Sequence, residues 1–239
     1  MVFEPIRRQR ADSGLPLAAL AAALLLGAGC TTVNSARPLE PGQHAVSATF
    51  GGPLANIPNI GPIPLPHMTV EGRHGLVQDL DINYGVHLLP LVFGVAGAHV
   101  GGTWLLKPQA EWVPAVALGQ RLFAFSNRLD GRKAEAARAE WLLSQTDLTA
   151  SWLVYDQLLY SGATVYVPLL APEASLAPFV GVEFRPFVDW ARLQLEARYL
   201  APYVNTQFGV VNWVAPASQG GILVNAGVSF VFDFMERAP

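Results

Sequence analysis

Residues 222–234 read Ile-Leu-Val-Asn-Ala-Gly-Val-Ser-Phe-Val-Phe-Asp-Phe, an alternation almost without error. Successive side chains of an extended strand point to opposite faces. Ile222, Val224, Ala226, Val228, Phe230, Phe232 and Phe234 therefore share one face, and Leu223, Asn225, Gly227, Ser229, Val231 and Asp233 share the other. The first face is wholly apolar and the second mostly small or polar. A soluble sheet also shows an apolar face, but an apolar wall closing on three phenylalanines suits hydrocarbon better than a protein core.

The whole chain carries the same signature in diluted form. Of its 239 residues 51% are hydrophobic and only 14% charged, against about 25% charged in an ordinary soluble domain. Yet beyond residue 30 no apolar run reaches the roughly 18 to 20 residues of a membrane helix. Only helices and closed barrels satisfy every backbone group in lipid, and barrels do so with short alternating segments. The expectation is an all-β fold: one antiparallel up-and-down transmembrane β-barrel of about ten strands, with eight or twelve as the neighbouring even counts. A soluble lipocalin-like or sandwich lipoprotein is the competing class, and there the inner face would be greasy.

Alternation and turn residues place strands at 44–51, 68–76, 82–88, 91–106, 110–125, 143–156, 158–170, 176–188, 191–204 and 222–234. Residues 52–66 are rich in Pro, Asn and Gly and read as a loop, because proline donates nothing to a ladder. Short links near 77–79, 107–109, 155–157 and 188–190 alternate with mostly longer ones, Leu89-Pro90 being the short exception. Short turns at one end and long loops at the other are how outer-membrane barrels are built. The barrel is expected over 43–235, preceded by a polar linker over 30–42 on the periplasmic side.

Three stretches resemble known proteins. The 222–234 alternation, with its aromatic end, resembles the closing strand of bacterial outer-membrane β-barrels, although Met235 to Pro239 follow the last Phe here. Arg73-His74-Gly75-Leu76-Val77-Gln78-Asp79-Leu80-Asp81-Ile82 is similar to a hairpin of uncharacterised outer-membrane barrels, which show Arg-Tyr-Gly-Leu, a polar turn and Leu-Asp-Leu-Gly. That likeness concerns architecture, not activity. At the N-terminus, Arg7, Arg8 and Arg10 precede an apolar run from Leu17 to Leu26, then Gly27-Ala28-Gly29-Cys30. This resembles a lipoprotein signal, with Gly27 where a Leu is usual. It implies a signal peptide over 1–29 and a lipidated Cys30 in a bacterial outer-membrane protein, which agrees with the even strand count that puts both termini on the periplasmic side.

Cys30 is the sole cysteine, which excludes disulfides within the chain and cysteine metal clusters. Without residues 1–29 the chain holds 12 basic side chains against 16 acidic ones. That balance argues against nucleic acid as a partner. Expected partners are outer-membrane lipid, other envelope proteins, and lipopolysaccharide phosphate met by Arg128, Arg132 and Lys133 in a charged loop.

Parity sends the strand charges to the interior. In 191–199 Arg192, Gln194, Glu196 and Arg198 oppose Ala191, Leu193, Leu195, Ala197 and Tyr199. A lipid-facing Arg or Lys costs about 2 to 4 kcal/mol near the midplane. Glu71, Arg73, Glu183, Arg185, Arg192, Glu196 and Arg198 are therefore expected as a lumen network, paired because an unpartnered buried charge is far costlier. Trp104, Trp112, Trp152, Tyr160, Trp190, Tyr199 and Tyr203 lie near strand ends, as interfacial girdles do.

For chemistry the sequence offers little. No serine sits in the surroundings of the barrel phospholipases or lipid A deacylases, and no His pair has metal-ligand spacing. His87 and His99, read as inward, come closest to a reactive pair, with hydrogen-bonded lumen histidines as the simpler account. No catalytic residue, metal or cofactor is expected, and the role expected of the lipid-anchored barrel is structural, interaction or small-solute transport, with the Arg/Glu network filling the lumen. A lipid-modifying hydrolase remains the enzyme alternative, and it needs Ser and His converging at the outer rim.

Overall fold

A computed structural model describes residues 32–92, 95–126, 140–170, 173–185, 188, 190–206 and 212–233. The strands are β1 (Gln43–Ile57), β2 (Gly61–Pro64), β3 (His67–Val77), β4 (Leu80–His87), β5 (Ala96–Lys107), β6 (Ala115–Ser126), β7 (Glu140–Val154), β8 (Gln157–Pro168), β9 (Ser175–Phe184), β10 (Ala191–Asn205) and β11 (Gln219–Asp233). From β3 to β11 each strand pairs antiparallel with the next. β11 then closes on β1, with Gln43 opposite Asp233 and Pro53 opposite Leu223. With β3 also paired to β1, ten strands form a closed barrel and β2 stands outside it.

Polarity is sorted outside-in. Val224, Phe230, Phe232, Leu193, Leu195 and Val180 are exposed on the outer surface, while Asn225, Glu196, Arg198, Gln145, Asn83 and His87 are buried. A soluble domain distributes these types the other way. Links at 78–79, 108–114, 155–156 and 185–190 mark a short-turn end; the opposite end carries the longer connections.

Several expectations are corrected. Residues 52–66 are not a loop throughout: β1 runs on to Ile57 and pairs with β2. Leu65 N–H donates to the Pro53 carbonyl at 2.8 Å, so Pro62 and Pro64, of opposite parity, turn their missing donors to the free edge. Gly51 and Gly52, just before the hairpin, have φ of 156° and 148°; a Cβ on Gly52 would lie 3.1 Å from the Leu65 carbonyl carbon. β5 begins at Ala96, not 91, because Leu88–Val92 forms a helical turn, α1, that accepts Pro90 where an N–H has no partner to lose. Residues 110–114 belong to a turn closed by the Ala110–Val113 bridge, and β9 stops at Phe184. Tyr160 is 1% exposed and points into the lumen, whereas Trp104, Trp112, Trp190 and Tyr203 lie exposed.

The largest correction concerns the linker. Residues 32–36 and Leu39 are buried, and the segment runs inside the barrel instead of below it. Residues 1–31, with the expected signal peptide and Cys30, lie outside the described residues, as do Arg128, Arg132, Lys133 and Phe234. The interior is filled in tiers. Towards the long-loop end Phe123, Phe125, Leu143, Tyr166, Leu200 and Leu223 form an apolar cluster. Charged and amide groups occupy the middle. Nearer the short-turn end Ala36 packs on Leu158, Tyr160 and Phe179, and Leu39 on Ala45 and Val231.

Candidate functional site

The middle tier is organised by the segment 32–39, whose backbone and side chains lack partners of their own and take them from the wall. Asn34 N–H donates to Glu196 Oε2 at 3.0 Å. The Asn34 side-chain oxygen accepts from Arg121 Nη1 at 3.3 Å and Gln145 Nε2 at 3.4 Å, and Arg121 Nη2 reaches Ser35 Oγ at 3.3 Å. Lower down, Leu39 N–H donates to Asp81 Oδ2 at 3.0 Å and Arg73 donates to the Arg37 carbonyl at 2.8 Å. Arg37 itself donates to Ser151 Oγ at 3.0 Å and Gln109 Oε1 at 2.5 Å. Buried polar backbone is stable only when bonded in this way.

The seven charges read from the sequence do not form one net. Arg198 pairs with Glu196 at 2.6 Å and donates to Tyr166 Oη, while Tyr160 Oη donates to the same glutamate at 3.3 Å. Arg192 meets Glu183 at 3.5 Å, and Gln194 steadies that carboxylate at 3.1 Å. Arg73 pairs with Asp81, not with Glu71. Glu71 accepts from His99 at 3.0 Å and has Arg121 Nε at 4.0 Å, and Arg121 also meets Asp147 at 3.4 Å. Arg185 lies exposed just past the end of β9. Asn34 joins the Glu196 group to the Arg121 group, so the chain's own N-terminal segment links pairs that the wall keeps apart.

Sequence reasoning missed Arg121, Asp81, Asp147, Asn34 and Arg37. Asp81 and Asp147 already stood on polar faces of their strands and were legible as inward. Arg121 shares its face with Phe123 and Phe125, which hides the parity signal. Nothing periodic marks Asn34 or Arg37.

His87 and His99 are inward as expected, and His67 joins them. His67 Nε2 is 3.0 Å from His87 Nδ1, His87 Nε2 is 3.3 Å from His99 Nδ1, and His99 Nε2 faces Glu71. An ionised carboxylate only accepts, so with neutral rings every imidazole carries its proton on Nε2. Such a file can hand a proton from His67 towards Glu71. Among the described residues no group of His, Cys, Asp or Glu converges as a metal site.

No protein-family model matches the chain, and no curated protein does. Solved structures similar to it are bacterial outer-membrane barrels. An outer-membrane channel from Pseudomonas putida F1 is 9% identical, covering 84% of this chain and 100% of its own, with a TM-score of 0.46. The NanC porin is 12% identical over 78% of this chain and 98% of its own, TM-score 0.42. The translocator domain of the autotransporter NalP from Neisseria meningitidis is 12% identical over 93% and 98%, TM-score 0.39. The barrel stands on its own strand pairing, and no activity passes to this chain from these neighbours.

Proposed function

We propose that this chain is a bacterial outer-membrane β-barrel sealed by its own N-terminal segment, serving as a structural or interaction module and not as an open channel. The membrane reading rests on the inverted polarity of the wall, since leucines and phenylalanines outside and ionised groups inside suit lipid and fail in water. The sealed reading rests on one observation above others: Asn34 is tied to Glu196, Arg121 and Gln145 across the middle of the lumen. The apolar cluster around Phe123 and Phe125 supports it from the other side. The short-turn end is then periplasmic. The lumen histidines bond to one another and to Glu71, an arrangement that favours a buried polar file over a hydrolase centre.

An acyl anchor on Cys30 competes with the seated segment. Thr32 is 2% exposed inside the barrel, and two residues span at most about 7 Å. Acyl chains attached that close to Thr32 would reach the bilayer only by drawing the segment out of its buried seat. The intact mass of protein purified from membranes is expected to show an unacylated chain; a triacylated mass with the segment still buried would sink this part. In planar bilayers the purified full-length protein is expected to give no stable open level. Large steady conductance from pure protein would overturn the sealed reading.

A further inference from the structure

At the short-turn end a cavity of about 630 Å³ opens between the N-terminal segment and the ends of β9, β10 and β11. Arg37, Arg185 and Arg192 all face it. Arg192 engages Glu183 through Nη1, but among the described residues no acceptor meets its buried Nε. Among the same residues neither Arg37 nor Arg185 has a carboxylate at ion-pair distance; Arg37 is held by the neutral partners Ser151 and Gln109. Three carboxylates also line the cavity. Glu183 is taken up by Arg192 and Gln194, and Glu40 and Asp233 are exposed to water at the rim. The guanidiniums are therefore left facing room for one compact anion, and their planar forks match phosphate or carboxylate oxygens.

The rest of the wall says where that anion comes from. Phe232 lines the cavity although its side chain lies on the lipid-facing surface, and Trp190, in the turn just before β10, stacks on Phe230 at 5.7 Å. The cavity thus reaches over the rim onto the apolar exterior. We infer that it binds the phosphate of an anionic phospholipid from the periplasmic leaflet, held by Arg37, Arg185 and Arg192, with its acyl chains lying outside along Phe230 and Phe232. The inference rests on the membrane reading above. A cavity of this volume is of ordinary size for a small-molecule site.

Native mass spectrometry of the full-length protein in detergent, titrated with phosphatidylglycerol, phosphatidylcholine or inorganic phosphate, tests it. One phosphatidylglycerol is expected to be retained about tenfold better than phosphatidylcholine, and Arg185→Gln to remove most of that preference. Arg185 is exposed, so the variant keeps its fold, which heat-modifiable gel migration verifies. Equal retention of the two lipids, or an unchanged preference in a folded Arg185→Gln, overturns the site. Displacement of phosphatidylglycerol by millimolar inorganic phosphate overturns the lipid as occupant. Failure of the membrane reading shows itself separately, as a protein soluble without detergent whose migration heating does not change.

Discussion

Arg198 is 1% exposed and its partner Glu196 2%, so this ion pair is fully buried inside the wall. Such a pair is weak evidence for stability, but breaking it strands one charge at about 3 to 5 kcal/mol. Glu196→Gln is therefore expected to lower the melting temperature sharply, read by the loss of heat-modifiable migration. The double change Glu196→Leu with Arg198→Met should recover only part of the loss, because Asn34 N–H and Tyr160 Oη lose their acceptor. A double variant no better than Glu196→Gln would show that the pair contributes through something other than its charges. Gly181 makes a second test. A Cβ there would lie 2.6 Å from Tyr160 Cε2, so the ring fits only because its cross-strand neighbour has no side chain. Gly181→Val should displace Tyr160, break its bond to Glu196 and cost about 1 to 3 kcal/mol, measured in the same assay.

At the scale of elements, the segment 32–39 behaves as an inner layer without strand pairing, held by side chains of β4, β6, β7 and β10. A Ser35→Cys chain, with Cys30→Ser to remove the native thiol, is expected to resist a hydrophilic maleimide until it is unfolded. Rapid labelling of the folded barrel would place the segment outside. The β1–β2 hairpin pairs from Leu54 on, beyond Gly51 and Gly52, and its β1 half is further tied to residues 212–214. Gly52→Val puts a branched side chain at φ 148° against the Leu65 carbonyl. It should open residues 54–65 to proteolysis while the barrel still migrates as folded.

Over the whole molecule the lumen is closed twice, by the polar plug and by the apolar cluster above it. Removal of either is expected to leave the barrel non-conducting. Deleting residues 32–39 together with Phe123→Ala and Phe125→Ala should give measurable openings in planar bilayers. Conductance from the deletion alone would mean that the phenylalanine tier does not seal. The wall is a single residue thick, with an apolar outer face and an inner face that carries both the polar plug and the apolar cluster.

That thinness made the fold legible. With an apolar exposed face on one side and a packed interior on the other, parity alone assigned Leu193, Glu196, Val224 and Asn225 to the correct faces, and turn residues placed most hairpins. Prolines misled at 52–66, because an edge can hide a missing donor that an inner strand cannot. Alternation was enough for the barrel and for the inward face of Glu71, Arg73, Glu183, Glu196 and Arg198, but it missed Arg121 and misplaced Arg185. The partners of those charges were set by the folded barrel, through the stagger of neighbouring strands and the contacts of the inner segment. Arg73 takes Asp81 two registers away, and Asn34 meets Glu196 across 162 residues. No local pattern encodes that a polar, aperiodic segment will thread the lumen, because its partners exist only once the cylinder has closed.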